Sequence, residues 1–279
     1  YPPRGFVWSG VTLSGHDIRY GVAAPPVRPR GHVLILSPFG TPAEVNFELA
    51  STLMQPGPKG AGGATVWLLD LPGSGGSSRL PGPVPKDYFT KLAPESVSAF
   101  IRDVIRPTKA MPLTLVAYGD AADLAFSPSL NLPAESRRIV WNTRLGTGRI
   151  AAKTTEPWAR KAISKPVRRR DLPMAWQIAN PDLRQPSHGP DYSLALNALQ
   201  LESRQLSHLK RIRTQTLWIL TDDEFKSDGR LCRNIPSCHV FKLEAPQFAI
   251  ESGPFHLWDD DLARQTVMTP ILDFRALAE

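Results

Sequence analysis

Cysteine is nearly absent, with only Cys232 and Cys238 in 279 residues. Two are too few for a disulfide-stapled scaffold or an all-cysteine zinc site, although they are free to pair with each other. Long apolar runs are missing as well. Nothing reaches the ~18–20 consecutive apolar residues of a bilayer-spanning helix, which excludes a helical transmembrane segment. The six histidines are scattered, with no H-x-x-x-H or H-E-x-x-H pair, so no metal or cofactor is expected. The small-residue run Gly73-Ser74-Gly75-Gly76-Ser77 lacks the lysine of a phosphate-binding loop and the G-x-G-x-x-G order. It reads as a tight turn.

What is present is an ordinary globular composition: 42% hydrophobic and 21% charged residues, which argues against intrinsic disorder. The length suits one large domain or two small ones. Lys and Arg number 33 against 26 Asp and Glu, a formal charge of +7. Such a balance favours anionic neighbours, whether acidic protein surfaces, anionic lipid or nucleic acid. Proline, at 28 residues, is about twice its usual share, so many stiff loops are expected. The chain opens at Tyr1 rather than Met, and a segment upstream is expected to be missing.

Hydrophobic periodicity orders the chain. Phe6–Leu13 and Ile18–Ala24 read as strands joined by a hairpin turn at Ser14-Gly15-His16-Asp17. His32–Leu36, Thr65–Leu69, Leu113–Ala117 and Ile139–Trp141 are continuous apolar runs, the mark of strands buried on both faces. Helical stretches fall between them at about Val45–Met54 and Ala93–Ile105. Alternation of this kind specifies a parallel sheet with helices on both faces. From about Arg144 to Arg213 the text turns to charges, prolines and helical pieces without a clear strand. The strand pattern then resumes at Thr216–Leu220 and His239–Leu243. An amphipathic helix closes the chain over about Leu262–Leu277, with Val267, Ile271, Leu272 and Phe274 facing inward. An α/β core is therefore expected in two parts, 1–143 and 214–279, around an insertion at 144–213.

Five segments in this order carry a resemblance: HVLILSPFGTPAEVNFELA (32–50), LLDLPGSGGSSR (68–79), LVAYGDAADLA (115–125), LWILTDDEF (217–225) and HLWDDDLARQTVMTPILDF (256–274). With them the chain resembles the α/β-hydrolase superfamily, in particular its monoacylglycerol lipase and lysophospholipase branch. The resemblance covers nearly the whole chain. It implies a mostly parallel sheet flanked by helices, with 144–213 as a helical cap.

The chemistry of that branch needs a nucleophile on a sharp strand-to-helix turn, G-x-S-x-G, with small residues two before and two after. The matching residues are Ala117-Tyr118-Gly119-Asp120-Ala121, and the nucleophile position holds Gly119. Glycine tolerates the strained turn and has no group with which to attack a carbonyl. Taking Asp120 as nucleophile would shift the frame and place bulky Tyr118 where a small residue belongs. A plainer role for Asp120 is to compensate the helix N-terminus. The resemblance also makes Phe39, on the loop after the first parallel strand, and Asp120 the oxyanion-loop residues. A carboxylate there would repel a developing oxyanion. The resemblance puts the acid at Asp223 or Asp222 and the base at His256, with Gln247 competing for the latter place. An acidic helix start and a packed loop histidine are the structural alternatives. Ser37, Ser74 and Ser77 do not sit on a strand-to-helix elbow and are not expected to replace the nucleophile.

Arg160, Lys161, Lys165, Arg168, Arg169 and Arg170 form a basic run in the expected cap, between Trp158 and Trp176. It is either a solvated face or a contact for an anionic partner: an acidic protein surface first, anionic lipid or nucleic acid otherwise. The leading expectation is a hydrolase-like chain that has lost turnover and serves as a binding or scaffold subunit. The competing expectation is an active esterase or lysophospholipase with a non-standard nucleophile.

Overall fold

The structure is a computed structural model and describes residues 2–55, 63–141, 143, 145, 190–220, 222–243 and 261–276. Strands β1 (Val7–Leu13) and β2 (His16–Ala23) form the hairpin. Ser14 and Gly15 both take positive φ, 51° and 79°, the two-residue turn whose twist suits a hairpin. Because two residues suffice, β2 begins at His16, earlier than periodicity alone suggests.

Strands β3 (His32–Leu36), β4 (Thr65–Leu69), β5 (Leu113–Tyr118), β6 (Arg137–Trp141), β7 (Gln215–Leu220) and β8 (Cys238–Lys242) complete one sheet. Its order is β1-β2-β4-β3-β5-β6-β7-β8. The β1–β2 and β2–β4 pairs are antiparallel and every later pair is parallel. Alternation within the apolar runs feeds two cores. Leu34, Leu36, Leu115, Ala117, Val140, Trp218 and Leu220 face one side. Val33, Ile35, Val116, Tyr118, Ile139, Trp141, Leu217 and Ile219 face the other. Burial on both faces is why these strands lack a polar phase.

Helix α1 (Phe47–Met54) follows β3 after a short 3₁₀ turn at Ala43–Asn46. Helix α2 (Ala93–Phe100) continues at both ends into wide π turns, Tyr88–Leu92 and Ile101–Ile105, so the helical rod starts five residues before its apolar stripe. A short α3 (Asp120–Leu124) follows β5. Between β6 and β7 lie α4 (Pro190–Ser203) and α5 (Leu206–Leu209). Helices α6 (Asp222–Cys232) and α7 (Asp261–Ala276) flank β8. Val267, Ile271 and Phe274 of α7 are buried and Leu272 packs against their cluster, as the stripe requires. Cys232 and Cys238 form a disulfide that joins the end of α6 to the start of β8, with Cα atoms 5.5 Å apart.

One buried ionic network ties the hairpin to the parallel sheet. Asp70, fully buried just past β4, accepts from Arg19 Nε at 2.5 Å, the Ala43 N–H at 2.8 Å and the Gly76 N–H at 2.9 Å. Arg19 turns its other two nitrogens on Glu44 at 2.7 and 2.8 Å and lies 4.0 Å over the Trp8 ring. Burial pushes the Asp70 carboxyl up to about 6, against the pull of the Arg19 cation and the Gly76 N–H. The turn at 73–77 exists to bring that N–H in. A Cβ on Gly75, where φ is +52°, would lie 2.2 Å from an Asp70 oxygen. Removing one member of such a buried pair leaves the others uncompensated. Asp70→Ala should therefore lower unfolding free energy by about 3–5 kcal/mol in urea titration, whereas replacing the exposed Asp103, which pairs with its neighbour Arg102, should change it far less, because solvent screens that pair.

Candidate active site at the strand-to-helix turn

All six residues of β5 are buried, and the chain leaves its end through Gly119 at φ 63°, ψ −138°. This backbone region is almost closed to residues with a Cβ unless the surroundings enforce it. The turn is closed on both sides. The Gly119 N–H donates to the Trp141 carbonyl at 3.3 Å, and its own carbonyl accepts from Ala122 at 3.0 Å and Asp123 at 3.3 Å. Ala117 and Ala121, two residues either side, are fully buried. A larger side chain at either place would meet the packed sheet. Tyr118 turns into the opposite core, stacked on Trp141 at 5.1 Å, its hydroxyl donating to Asn46 Oδ1.

Asp120 is the first residue of α3. Its half-buried carboxylate does more than face the helix end. One oxygen accepts the backbone N–H of Phe39 at 2.9 Å. The other accepts the hydroxyl of Tyr192, which comes from α4. The neighbouring N–H, that of Gly40, is taken by Ser74 Oγ at 2.9 Å. Phe39 and Asp120, separated by 81 residues, are thus brought together, and the Phe39 N–H is filled by a side chain of the same protein.

Aromatic rings close around this contact. Tyr192 stacks on Phe39 at 5.6 Å and meets Phe89 edge-on at 5.4 Å, while Tyr88 meets Phe39 at 4.8 Å. The Tyr88 hydroxyl donates to the Pro72 carbonyl at 2.7 Å. Burial, and next the nearby negative charge of Asp120, pushes the Tyr88 phenol well above its ordinary range. One turn along α3, the buried Asp123 accepts from Gln200 Nε2 at 2.8 Å. Two carboxylates of α3 therefore hold two donors of α4.

Tyr88, Asp123, Tyr192 and Gln200 were not legible as site residues. The usable signals are weak ones: acids three apart on α3, and donors eight apart on one broad face of α4. Asp222 and Asp223 open α6 directly beyond the end of β7. Their side chains lie outside the described residues, as do His256, Gln247 and the basic run Arg160, Lys161, Lys165, Arg168, Arg169 and Arg170. Ser37, Ser74 and Ser77 are each buried and hydrogen-bonded: Ser37 to Asn46, Ser74 to Gly40, Ser77 to Asp70 and Arg19.

The antiparallel lead-in, the parallel strands with their flanking helices and the left-handed turn after β5 define an α/β-hydrolase fold. Solved structures agree over the full chain. The chain is similar to a soluble variant of monoglyceride lipase from Saccharomyces cerevisiae in complex with a substrate analogue, at 14% identity, with 100% of this chain and 97% of that one covered and a TM-score of 0.65. It is similar to Est816, described as an N-acyl homoserine lactone degrading enzyme (14% identity, 94% and 99% covered, TM-score 0.63). It is also similar to the haloalkane dehalogenase DatA from Agrobacterium tumefaciens C58 (13% identity, 99% and 98% covered, TM-score 0.62). No protein-family model and no curated protein matches the sequence.

The link between α3 and α4 is open to direct measurement. A hydrogen bond to a charged group contributes about 1.5–3 kcal/mol. Tyr192→Phe should lower stability by that order. A double-mutant cycle with Asp120→Ala should give a coupling of about 1–2 kcal/mol. Additive effects would mean that the two side chains do not share a bond in solution.

Proposed function

We propose that this chain is a hydrolase-fold protein of the lysophospholipase or esterase type that no longer turns over esters and serves as a binding or scaffold subunit. The observation that carries the reading is the Asp120 carboxylate on the Phe39 N–H. An acyl-transfer site needs that donor free to meet the oxyanion of a tetrahedral intermediate, and losing one such donor lowers turnover by about 10²–10³. Gly119 offers no attacking atom, and losing a triad nucleophile lowers kcat by about 10⁶. The two defects strike different requirements of one reaction, while the turn and the sheet that support it are intact. The insertion at 144–213, read as a cap, carries Arg160, Lys161, Lys165, Arg168, Arg169 and Arg170 with no acid among residues 160–170. An acidic protein surface is the partner that such a run suits.

A second reading has one observation in its favour: Asp120 is a carboxylate beside the turn, so an esterase with a non-standard nucleophile has a candidate. Against it, both carboxylate oxygens accept hydrogen bonds from within the fold.

One assay separates the two. Purified protein should hydrolyse p-nitrophenyl esters no faster than a heat-denatured control and should show no mass increase at Asp120. Gly119→Ser alone should restore little, because the carboxylate still fills the anion position. Gly119→Ser with Asp120→Met should recover more and should become labelled by a serine-directed phosphonate. Turnover by the unaltered chain that Asp120→Asn abolishes would establish the second reading instead.

A further inference from the structure

At the other end of β6 lies a charge that the hydrolase reading does not use. Arg138 is buried, with 5% of its surface exposed. It points to the same side of the sheet as Val140, beneath Phe126, whose ring centre is 6.0 Å from its guanidinium carbon. Nη1 donates to the hydroxyl of Thr214. Nε has no hydrogen-bond partner, and neither has the buried hydroxyl of Ser136 two residues earlier. No carboxylate pairs with Arg138 among the described residues. Burial alone pulls the guanidinium down to about 10, so it remains a cation at neutral pH.

A buried charge without a counterion is costly by several kcal/mol, and native structures pair such groups or neutralise them. Here another cation, Arg211, acts on the same neighbourhood. His208 is half-buried and places Nε2 2.7 Å from the Phe126 carbonyl. The charges of Arg138 and of Arg211 both act on its ring, which burial already holds below the ordinary histidine range. Arg211 is exposed. Arg138 thus has the Thr214 hydroxyl on one nitrogen, shares the neighbourhood of His208 with Arg211, and among the described residues leaves its Nε unfilled.

We infer that Arg138, with Thr214, His208 and Arg211, binds a small inorganic anion of the size of chloride or phosphate. Arg138 supplies the buried N–H donors, Thr214 fixes the guanidinium plane, and Arg211 guards the entrance. The site is separate from Gly119. Arg138 lies three residues before Trp141 on β6, ~10 Å along the strand at ~3.3 Å per residue, and Trp141 is the residue that meets the Gly119 turn.

The test uses the full chain and two probes, sodium chloride and sodium phosphate, each titrated at constant ionic strength against sodium gluconate. An anion that binds only the folded state raises Tm in proportion to the logarithm of its concentration once above Kd. The wild type should show that rise with chloride or phosphate and none with gluconate. Arg138→Met should lose it. Should Arg138→Met fail to fold, Arg211→Ala decides, because it alters only an exposed side chain: it should fold normally and shift the titration to higher anion concentration. Chloride-35 line broadening that phosphate displaces from wild type should track the same order. A wild-type Tm that does not distinguish chloride and phosphate from gluconate would overturn the inference. So would an Arg211→Ala protein with an unshifted titration.

Discussion

The bond from the Phe39 N–H to the Asp120 carboxylate is the contact on which this account of the molecule turns. It joins the loop after β3 to the start of α3. A backbone N–H that must be satisfied in a buried loop finds a backbone carbonyl, water, a ligand or a side chain. Here a side chain is used, and Tyr192 completes its solvation from the other side. The consequences run outward. Phe39 and Tyr192 stack because both end on the same carboxylate, and α4 is fastened to α3 at two carboxylates rather than one. In the function proposed for this chain, a site that a hydrolase must open to substrate has become part of the protein's packing.

The turn at Gly119 is a demand of the fold rather than of any reaction. The geometry of a strand that enters a helix through one strained residue is imposed by β5 and α3, and glycine adopts it more readily than serine. The chain therefore has backbone ease at a position that offers no reacting group. Ionic chemistry persists elsewhere for structural ends. Asp70, Arg19 and Glu44 hold the hairpin on the sheet, and the small-residue turn that follows β4 serves them rather than a phosphate.

Much of the architecture was legible because both-face burial leaves an unmistakable record: HVLIL, TVWLL and TLWIL have no polar phase, and the structure places their alternate residues in opposite cores. The hairpin turn and the stripe of α7 were equally plain. The π turns that extend α2 were not, since they carry no spacing that differs from a loop. At the site, Gly119 at the turn after β5 followed from the matching segments, whereas the hydrogen bond between Phe39 and Asp120 did not. Nor did the partners that define the contact. Tyr192 and Gln200 lie in a stretch of charges and prolines with little periodicity, and only tertiary packing selects them. Arg138 was hidden for the opposite reason: a pair of arginines at a strand start reads as a solvated end, and nothing local says that the second will be buried under Phe126.

If this chain has lost turnover in the way proposed, the Asp120 carboxylate must hold the Phe39 N–H in solution. The Phe39 amide reports on it directly. In ¹⁵N-labelled protein its proton resonance should move with pH through a single carboxylate ionisation, and that movement should vanish in Asp120→Asn while the amides of β5 keep their positions. A Phe39 amide that is insensitive to pH, or that titrates unchanged in Asp120→Asn, would show that the carboxylate does not hold it.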